Sequence, residues 1–245
     1  SIIMTHQLNV LTGFGKIANL FVNRFIRKYI REFDECWVPD FEGEHSLTGK
    51  LSSGSEIDNH TFFIGPLSRF EPCTSENNVS EDKLLVILSG PEPQRTILEL
   101  KLLKELATLN SKTVFVRGTI TGPDISVTTP SGIQIIDLAS AEQLNKLICD
   151  AGIVISRTGY TSVMDLIKMR KKLIMIPTPG QAEQEYLGEY LAAKRFAVVL
   201  DQDKIELSVA IGKARQLVPP KLPPMDLYKK YCNAAHLLRE QFRKR

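Results

Sequence analysis

The chain has 245 residues, of which 43% are hydrophobic and 24% charged, with a formal net charge of +3. This is enough apolar material for one or two folded domains, and it excludes a disordered or low-complexity chain. The charge balance is too even for a nucleic-acid partner, and no run of about 18 apolar residues is present to span a membrane.

The chain enters directly as a strand at Ile2–Thr5, as expected of a piece that opens inside a domain. A helix is expected around Lys16–Arg31 and short strands at Glu35–Val38 and Thr61–Ile64. Residues 71–82 (EPCTSENNVSED) are polar and acidic and read as a linker. A regular alternation follows. Strands are expected at Lys83–Leu88, Thr113–Arg117, Gly132–Ile136, Ile153–Ser156, Leu173–Ile176 and Phe196–Leu200. Helices are expected at Thr96–Leu109, Ser140–Cys149, Gln181–Arg195 and Lys204–Leu217, with a further one between Ser156 and Leu173. Thr119–Ser131 is a polar excursion. Pro219, Pro220, Pro223 and Pro224 precede a last helix at Asp226–Lys244. Alternating β and α elements imply a parallel sheet covered on both faces, so the fold class is α/β. An acidic linker between an incomplete α/β unit and a complete one implies two lobes: 1–70, the linker 71–82, and 83–245, with helix 226–244 returning to the first lobe.

The four cysteines are far apart and form no Cys-x-x-Cys pair. Cys36 and Cys149 have apolar neighbours and read as buried thiols, which implies a reducing, cytoplasmic compartment. Asn78-Val-Ser80 fits a glycosylation sequon by chance in a chain with no secretory signal.

The chemistry is expected where strands give way to helices, because free N–H groups and the positive helix end face a ligand there. Arg157-Thr158-Gly159 is one such turn. Gly159 permits close approach, and the N–H groups can meet a diphosphate; Arg157 either steadies it or pairs with a neighbouring acid. Asp165 reads two ways, as the acid of a capping box Ser162-x-x-Asp165 or as an acceptor for a cis-diol. Gln184 and Glu185 follow Pro177-Thr-Pro-Gly180 and read as sugar ligands or as a solvated first turn. Ser89-Gly90 follows the first strand of the second lobe, where two prolines remove N–H donors and Glu92 adds repulsion. Helix 16–31 carries five basic residues and no acid. Its apolar side (Phe21, Phe25, Ile26, Tyr29, Ile30) faces either a core or an anionic membrane surface.

Four short motifs occur in order: His6-Gln7-Leu8-Asn9, Gly65-Pro-Leu-Ser-Arg69, Arg157-Thr-Gly-Tyr-Thr-Ser-Val-Met-Asp165 and Gln184-Glu185-Tyr186. Together the chain resembles the GT-B glycosyltransferases of family 28, which include the transferase that adds N-acetylglucosamine to the lipid-linked peptidoglycan precursor. The resemblance covers most of the chain and is strongest over Gln134–Leu200. It implies the end of an acceptor lobe and a whole Rossmann-like donor lobe, N-terminally truncated. By resemblance, Asp165 accepts the ribose hydroxyls of a nucleotide, UDP in the family pattern, and Arg69 faces the base with Ile136 and Leu138 opposite. Thr158, Gly159, Ser89 and Gly90 lie against phosphate, and Gln184 and Glu185 bind the donor sugar. Glu185 departs from the family's second Gln, and Gln7 from its Glu, so a general base has to be His6 or a group outside the chain. The implied reaction is sugar transfer from a nucleotide sugar to a saccharide or lipid-linked hydroxyl, with no cofactor or metal required, at the cytoplasmic face of a membrane. Two alternatives stay open: a non-catalytic donor-binding subunit that needs a partner chain, and a nucleotide-sugar hydrolase or epimerase.

Overall fold

A computed structural model describes residues 1–53, 60–73, 80–109, 111–120 and 132–223. The expected helix 226–244, most of the excursion 119–131, and Asn78 with the middle of the expected linker lie outside these residues. The contacts divide the chain into two compact units, Ser1–Leu67 and Ser68–Pro220.

In the first unit, strands β1 (Ile2–Met4), β2 (Glu35–Val38) and β3 (Thr61–Phe63) form a parallel sheet in that order. Helix α1 (Lys16–Ile30) connects β1 to β2. No residue of α1 is buried, and Ile17, Leu20, Phe21, Phe25 and Tyr29 are exposed, so the core-facing alternative is not met. The apolar stripe records amphipathicity and not what covers it. Polar tethers hold the helix instead: Val10 N donates to Asn23 Oδ1 (2.6 Å), Thr12 N to Asn19 Oδ1 (2.8 Å) and Arg27 Nη2 to Asn9 Oδ1 (2.9 Å).

The chain after β2 folds around Asp40, which is fully buried. Its carboxylate accepts from the backbone N–H of Phe41 (2.7 Å), Leu47 (2.7 Å) and Thr48 (3.1 Å), and from the hydroxyls of Ser46 (2.7 Å), Ser52 (2.9 Å) and Thr48. A buried carboxylate is tolerable when donors replace its water in this way.

The second unit carries a six-stranded parallel sheet. Its strands are β4 (Ser80–Ile87), β5 (Thr113–Val116), β6 (Ile133–Ile136), β7 (Ala151–Ser156), β8 (Lys172–Met175) and β9 (Val198–Val199), in the order β6-β5-β4-β7-β8-β9. The intervening helices are α2 (Gln94–Leu106), α3 (Ala141–Asp150), α4 (Tyr160–Lys168), α5 (Ala182–Ala193) and α6 (Leu207–Arg215). Every residue of β7 is buried, because a central parallel strand has both faces covered. On one face Leu84, Val86, Ile153, Ile155 and Ile174 pack with Leu98, Leu102 and Leu106 of α2 and Leu207, Ala210 and Ala214 of α6. Leu85, Val154 and Leu173, in register with one another, are buried on the other.

Three sequence readings are corrected here. The polar stretch is shorter than a twelve-residue linker, since β4 already begins at Ser80 and the chain before residue 74 is bonded to the second unit. Glu71 N donates to Asn145 Oδ1 (2.8 Å) on α3, and Lys168 Nζ to the Phe70 carbonyl (3.3 Å). Cys73 and Cys149 form a disulfide across 76 residues, so they are not a pair of separate thiols; the pairing arises because residues 70–73 run along α3, which spacing alone cannot show. Helix α4 starts at Tyr160 with Gly159 as N-cap and no side-chain cap. Asp165 therefore lies in its second turn, and the capping box is not formed.

Candidate functional site

The chain leaves β4 outward through β5 and β6, then returns beside β4 as β7. The adjacent strands β4 and β7 thus send their connections to opposite sides, and the carboxyl ends of such a pair open a crevice suited to ligands. Ser156 Oγ donates to the Ile87 carbonyl (3.1 Å), closing the two strand ends on each other.

The turn Arg157-Thr158-Gly159 leads from β7 into α4. Gly159 supplies no capping side chain, so the first N–H groups of α4 keep their donors for something other than a cap. Thr158 is fully buried, and its hydroxyl has no hydrogen-bond partner among the described residues. A buried unpaired hydroxyl costs about 1–3 kcal/mol and calls for an explanation. Arg157, 2% exposed, donates to the carbonyls of Gln94 (2.8 Å), Ile176 (3.4 Å) and Pro177 (3.0 Å) and to Gln202 Oε1 (2.5 Å). It pairs with no acid in these bonds and fastens the turns after β4, β8 and β9 together. Burial draws its pKa down to about 10, so the guanidinium is still a cation at neutral pH. Its charge lies beneath the turn with no carboxylate among the described residues paired to it.

Asp165 is 5% exposed. Burial is the main influence and raises its pKa above the usual 3.8; hydrogen bonds from the Ser68 hydroxyl and the Arg69 backbone, and the charges of Arg69 and Lys168, oppose that rise. The structure thus brings Asp165 and Arg69 together, and Arg69 also stacks its guanidinium 5.0 Å from the Phe70 ring. Ser68 and Arg69 occupy about two of the roughly four lone-pair positions of the carboxylate, leaving acceptor capacity for a diol.

Ser89 and Gly90 are exposed at the end of β4, and Gly90 has φ +105°, a conformation that favours glycine. The charge of Glu92 is consumed locally, since Arg95 Nε donates to it (2.6 Å) and the Thr96 N–H does too (3.2 Å). Behind the loop lies an ion network that the sequence reading missed. Glu99, fully buried, holds both Arg95 Nη1 (3.0 Å) and Arg117 Nε, and Arg117 Nη1 reaches Asp137 Oδ1 (2.9 Å) just past β6. Only the i,i+4 spacing of Arg95 and Glu99 hinted at it. Ile136, whose carbonyl accepts from Arg117 N (2.8 Å), is half-buried at the end of β6, and Leu138 is exposed.

Gln184 Oε1 accepts from Thr178 N (3.0 Å) and Thr178 Oγ1 (3.1 Å), and its Nε2 donates to Gln181 (2.5 Å). One N–H of that amide is left for a ligand. Glu185 Oε1 accepts from Gly180 N (2.8 Å) and so holds the turn before α5. Beside it, a concavity of about 490 Å³ is lined by Pro177, Pro179, Glu185, Glu189 and Asp201 among others. His6 belongs to the first unit, half-buried in the turn after β1.

A parallel sheet of this order, with uncapped polar turns at its carboxyl edge, has the α/β architecture of the GT-B glycosyltransferases. The chain belongs to glycosyltransferase family 28: the profile of the family's C-terminal domain matches residues 97–227, more than half of it. An uncharacterized glycosyltransferase of Methanopyrus kandleri is 22% identical over 92% of this chain and 65% of its own length. A Bacillus thuringiensis UDP-N-acetylglucosamine–N-acetylmuramyl-(pentapeptide) pyrophosphoryl-undecaprenol N-acetylglucosamine transferase is 27% identical over 31% of this chain and 22% of its own. Among solved structures, the calicheamicin glycosyltransferase CalG4 aligns over 94% of the chain and 62% of its own with a TM-score of 0.54 and 13% identity. MurG of Acinetobacter baumannii aligns over 94% of the chain and 68% of its own with a TM-score of 0.50 and 15% identity. The chain thus spans a little under two thirds of the length of the archaeal relative.

Proposed function

We propose that this chain binds a UDP-sugar at the carboxyl ends of β4 and β7 and belongs to an enzyme that transfers the sugar to an acceptor hydroxyl. The observation that carries this reading is the turn Arg157–Gly159: an uncapped helix start, an unpaired buried hydroxyl on Thr158 and an unbalanced buried cation together ask for an anion. Asp165, with acceptor capacity to spare, takes the ribose hydroxyls, and Arg69 lies beside the base with Ile136 across from it. In the transfer, the acceptor oxygen bonds to the anomeric carbon as the bond from that carbon to the diphosphate oxygen breaks. The bonding pair leaves with the diphosphate, and the hydroxyl proton passes to a base. The N–H groups of α4 and the charge of Arg157 stabilise the departing diphosphate from this chain's own groups, with no metal in the scheme. By resemblance that base is His6 or a group outside the chain.

Gln184 donates its remaining N–H to a sugar hydroxyl, and Glu185 beside the acidic concavity disfavours an anionic sugar. The relative from Bacillus thuringiensis supports a lipid-linked acceptor, as its name describes one. The exposed apolar face of α1 beside Lys16, Arg24 and Lys28 suits contact with an anionic membrane that carries such an acceptor. No described helix is long and apolar enough to cross a membrane. The Cys73–Cys149 disulfide removes the cysteine argument for a reducing compartment, so the cytoplasmic side of that surface rests on the family resemblance alone.

Calorimetric titration of UDP and a matched neutral UDP-sugar tests the site. Gln184→Ala is expected to weaken the UDP-sugar by about 0.5–1.5 kcal/mol and leave UDP unchanged. Failure of the parent chain to bind either ligand at millimolar concentration contradicts the reading.

A further inference from the structure

We propose that Cys73 and Cys149 form a reversible redox modification site whose oxidation tightens nucleotide binding, an inference that rests on the nucleotide reading of Asp165 and Arg69. Residues 68–73 form a strap across two helices of the second unit. At one end, Ser68 and Arg69 hydrogen-bond the Asp165 carboxylate on α4, and the Phe70 carbonyl accepts from Lys168 Nζ (3.3 Å). At the other, Glu71 N donates to Asn145 Oδ1 (2.8 Å) on α3, and Cys73 is joined to Cys149 in the last turn of that helix. The disulfide is the covalent anchor of a segment otherwise held by hydrogen bonds, four residues from Arg69, whose backbone hydrogen-bonds Asp165.

The surroundings suit exchange. Both cysteines are half-buried, within reach of a small thiol or disulfide. Asn145 Nδ2 lies 3.8 Å from Cys149 Sγ, and Lys171 Nζ lies 2.8 Å from the Cys149 carbonyl. An amide donor and an ammonium offset the helix C-terminus, which by itself disfavours a thiolate. The oxidant is a low-molecular-weight disulfide such as oxidised glutathione. One cysteine thiolate attacks a sulfur of it and releases one small thiolate. The second cysteine thiolate then attacks the mixed disulfide and releases the other. Two protein thiols become one disulfide, and the oxidant is reduced to two thiols.

With the strap anchored at both ends, Ser68 and Arg69 are held on Asp165 before the ligand arrives, and binding does not have to order them. Without the anchor at residue 73, that ordering falls to the ligand.

The test uses the full chain equilibrated with oxidised or with reduced glutathione, alkylated and weighed, with UDP as the probe. The oxidised chain is expected to take two fewer labels, and reduction to weaken UDP about threefold to tenfold. Cys73→Ser and, separately, Cys149→Ser are expected to bind UDP as the reduced parent does, in either buffer. Equal labelling in both buffers overturns the proposal, as does equal UDP affinity in the two states of the parent. If UDP binds neither state, the nucleotide reading falls and takes the proposed coupling with it. The redox site is then still read by melting: reduction is expected to lower Tm by an amount of the order of 10 °C in the parent and not in Cys73→Ser.

Discussion

Asp40→Ala is expected to unfold the first unit while sparing the second. The substitution removes the acceptor for three backbone N–H groups and three hydroxyls, all in the buried loop that follows β2. Each buried donor left unpaired costs about 1–3 kcal/mol. The hydroxyls can partly satisfy one another, since Ser46 and Ser52 already stand 3.2 Å apart. Thr48 N also has the Ser46 hydroxyl at 3.1 Å, but the N–H groups of Phe41 and Leu47 have no such recourse, and the relief of no longer burying a charge offsets only part of the loss. A net cost of about 4 kcal/mol or more is expected, comparable to the whole stability of a small domain. Urea denaturation followed by fluorescence of Trp37, in β2, reads the first unit by itself. A midpoint shift worth less than about 1 kcal/mol contradicts the role given to Asp40.

Asp165→Asn is expected to weaken UDP by about 1.5–3 kcal/mol, roughly 10- to 100-fold, without lowering the melting temperature at neutral pH. The two effects have one cause. Burial raises the pKa of Asp165 above 3.8, so the folded chain holds that proton more tightly than the unfolded chain does. The stability it contributes is complete below the unfolded value and is lost as pH rises through the folded value; above that, the ionised carboxylate is a cost that the fold bears. Asparagine keeps the shape and one carbonyl acceptor for Ser68 and Arg69, and removes the cost. It cannot offer two anionic oxygens to a ribose. Comparing Tm of parent and variant between pH 3 and pH 7 should show the parent falling behind as pH rises. A variant that loses stability but binds UDP as the parent does leaves Asp165 a purely structural acid.

The order of elements in the second unit was legible because its strands are short apolar runs between turn residues, as in Ile153–Ser156 and Leu84–Leu88. The turns were legible for the same reason, since they follow from where strands stop. The start of α4 was not: its N-cap is Gly159, which carries no capping signature, whereas Ser162 and Asp165 imitate one three residues downstream. The polar run 71–82 looked uniform in composition, yet its ends are a disulfide-anchored strap and the first residues of β4. Composition reports solvation, not which backbone groups are bonded. Asp40, Ser46, Thr48 and Ser52 form a donor cage that has no periodicity and becomes visible only when the loop closes. The apolar stripe of α1 was real, but a stripe does not name its cover. Of the proposed site, Thr158, Asp165 and Arg69 are candidates that the sequence itself offers. The carbonyl cage around Arg157 and the Glu99–Arg117 link could not be read from it, because their partners lie 18 to 63 residues away in the chain.

An anion held by the turn after β7 has to meet Thr158. Its hydroxyl is buried and unpartnered, so it costs stability in the free chain and is repaid only by a ligand. Calorimetry of UDP binding to Thr158→Val, with melting of the free variant alongside, separates the two. Thr158→Val is expected to melt at or above the temperature of the parent and to bind UDP about tenfold more weakly. A free variant that melts lower, with UDP bound as tightly as by the parent, contradicts it.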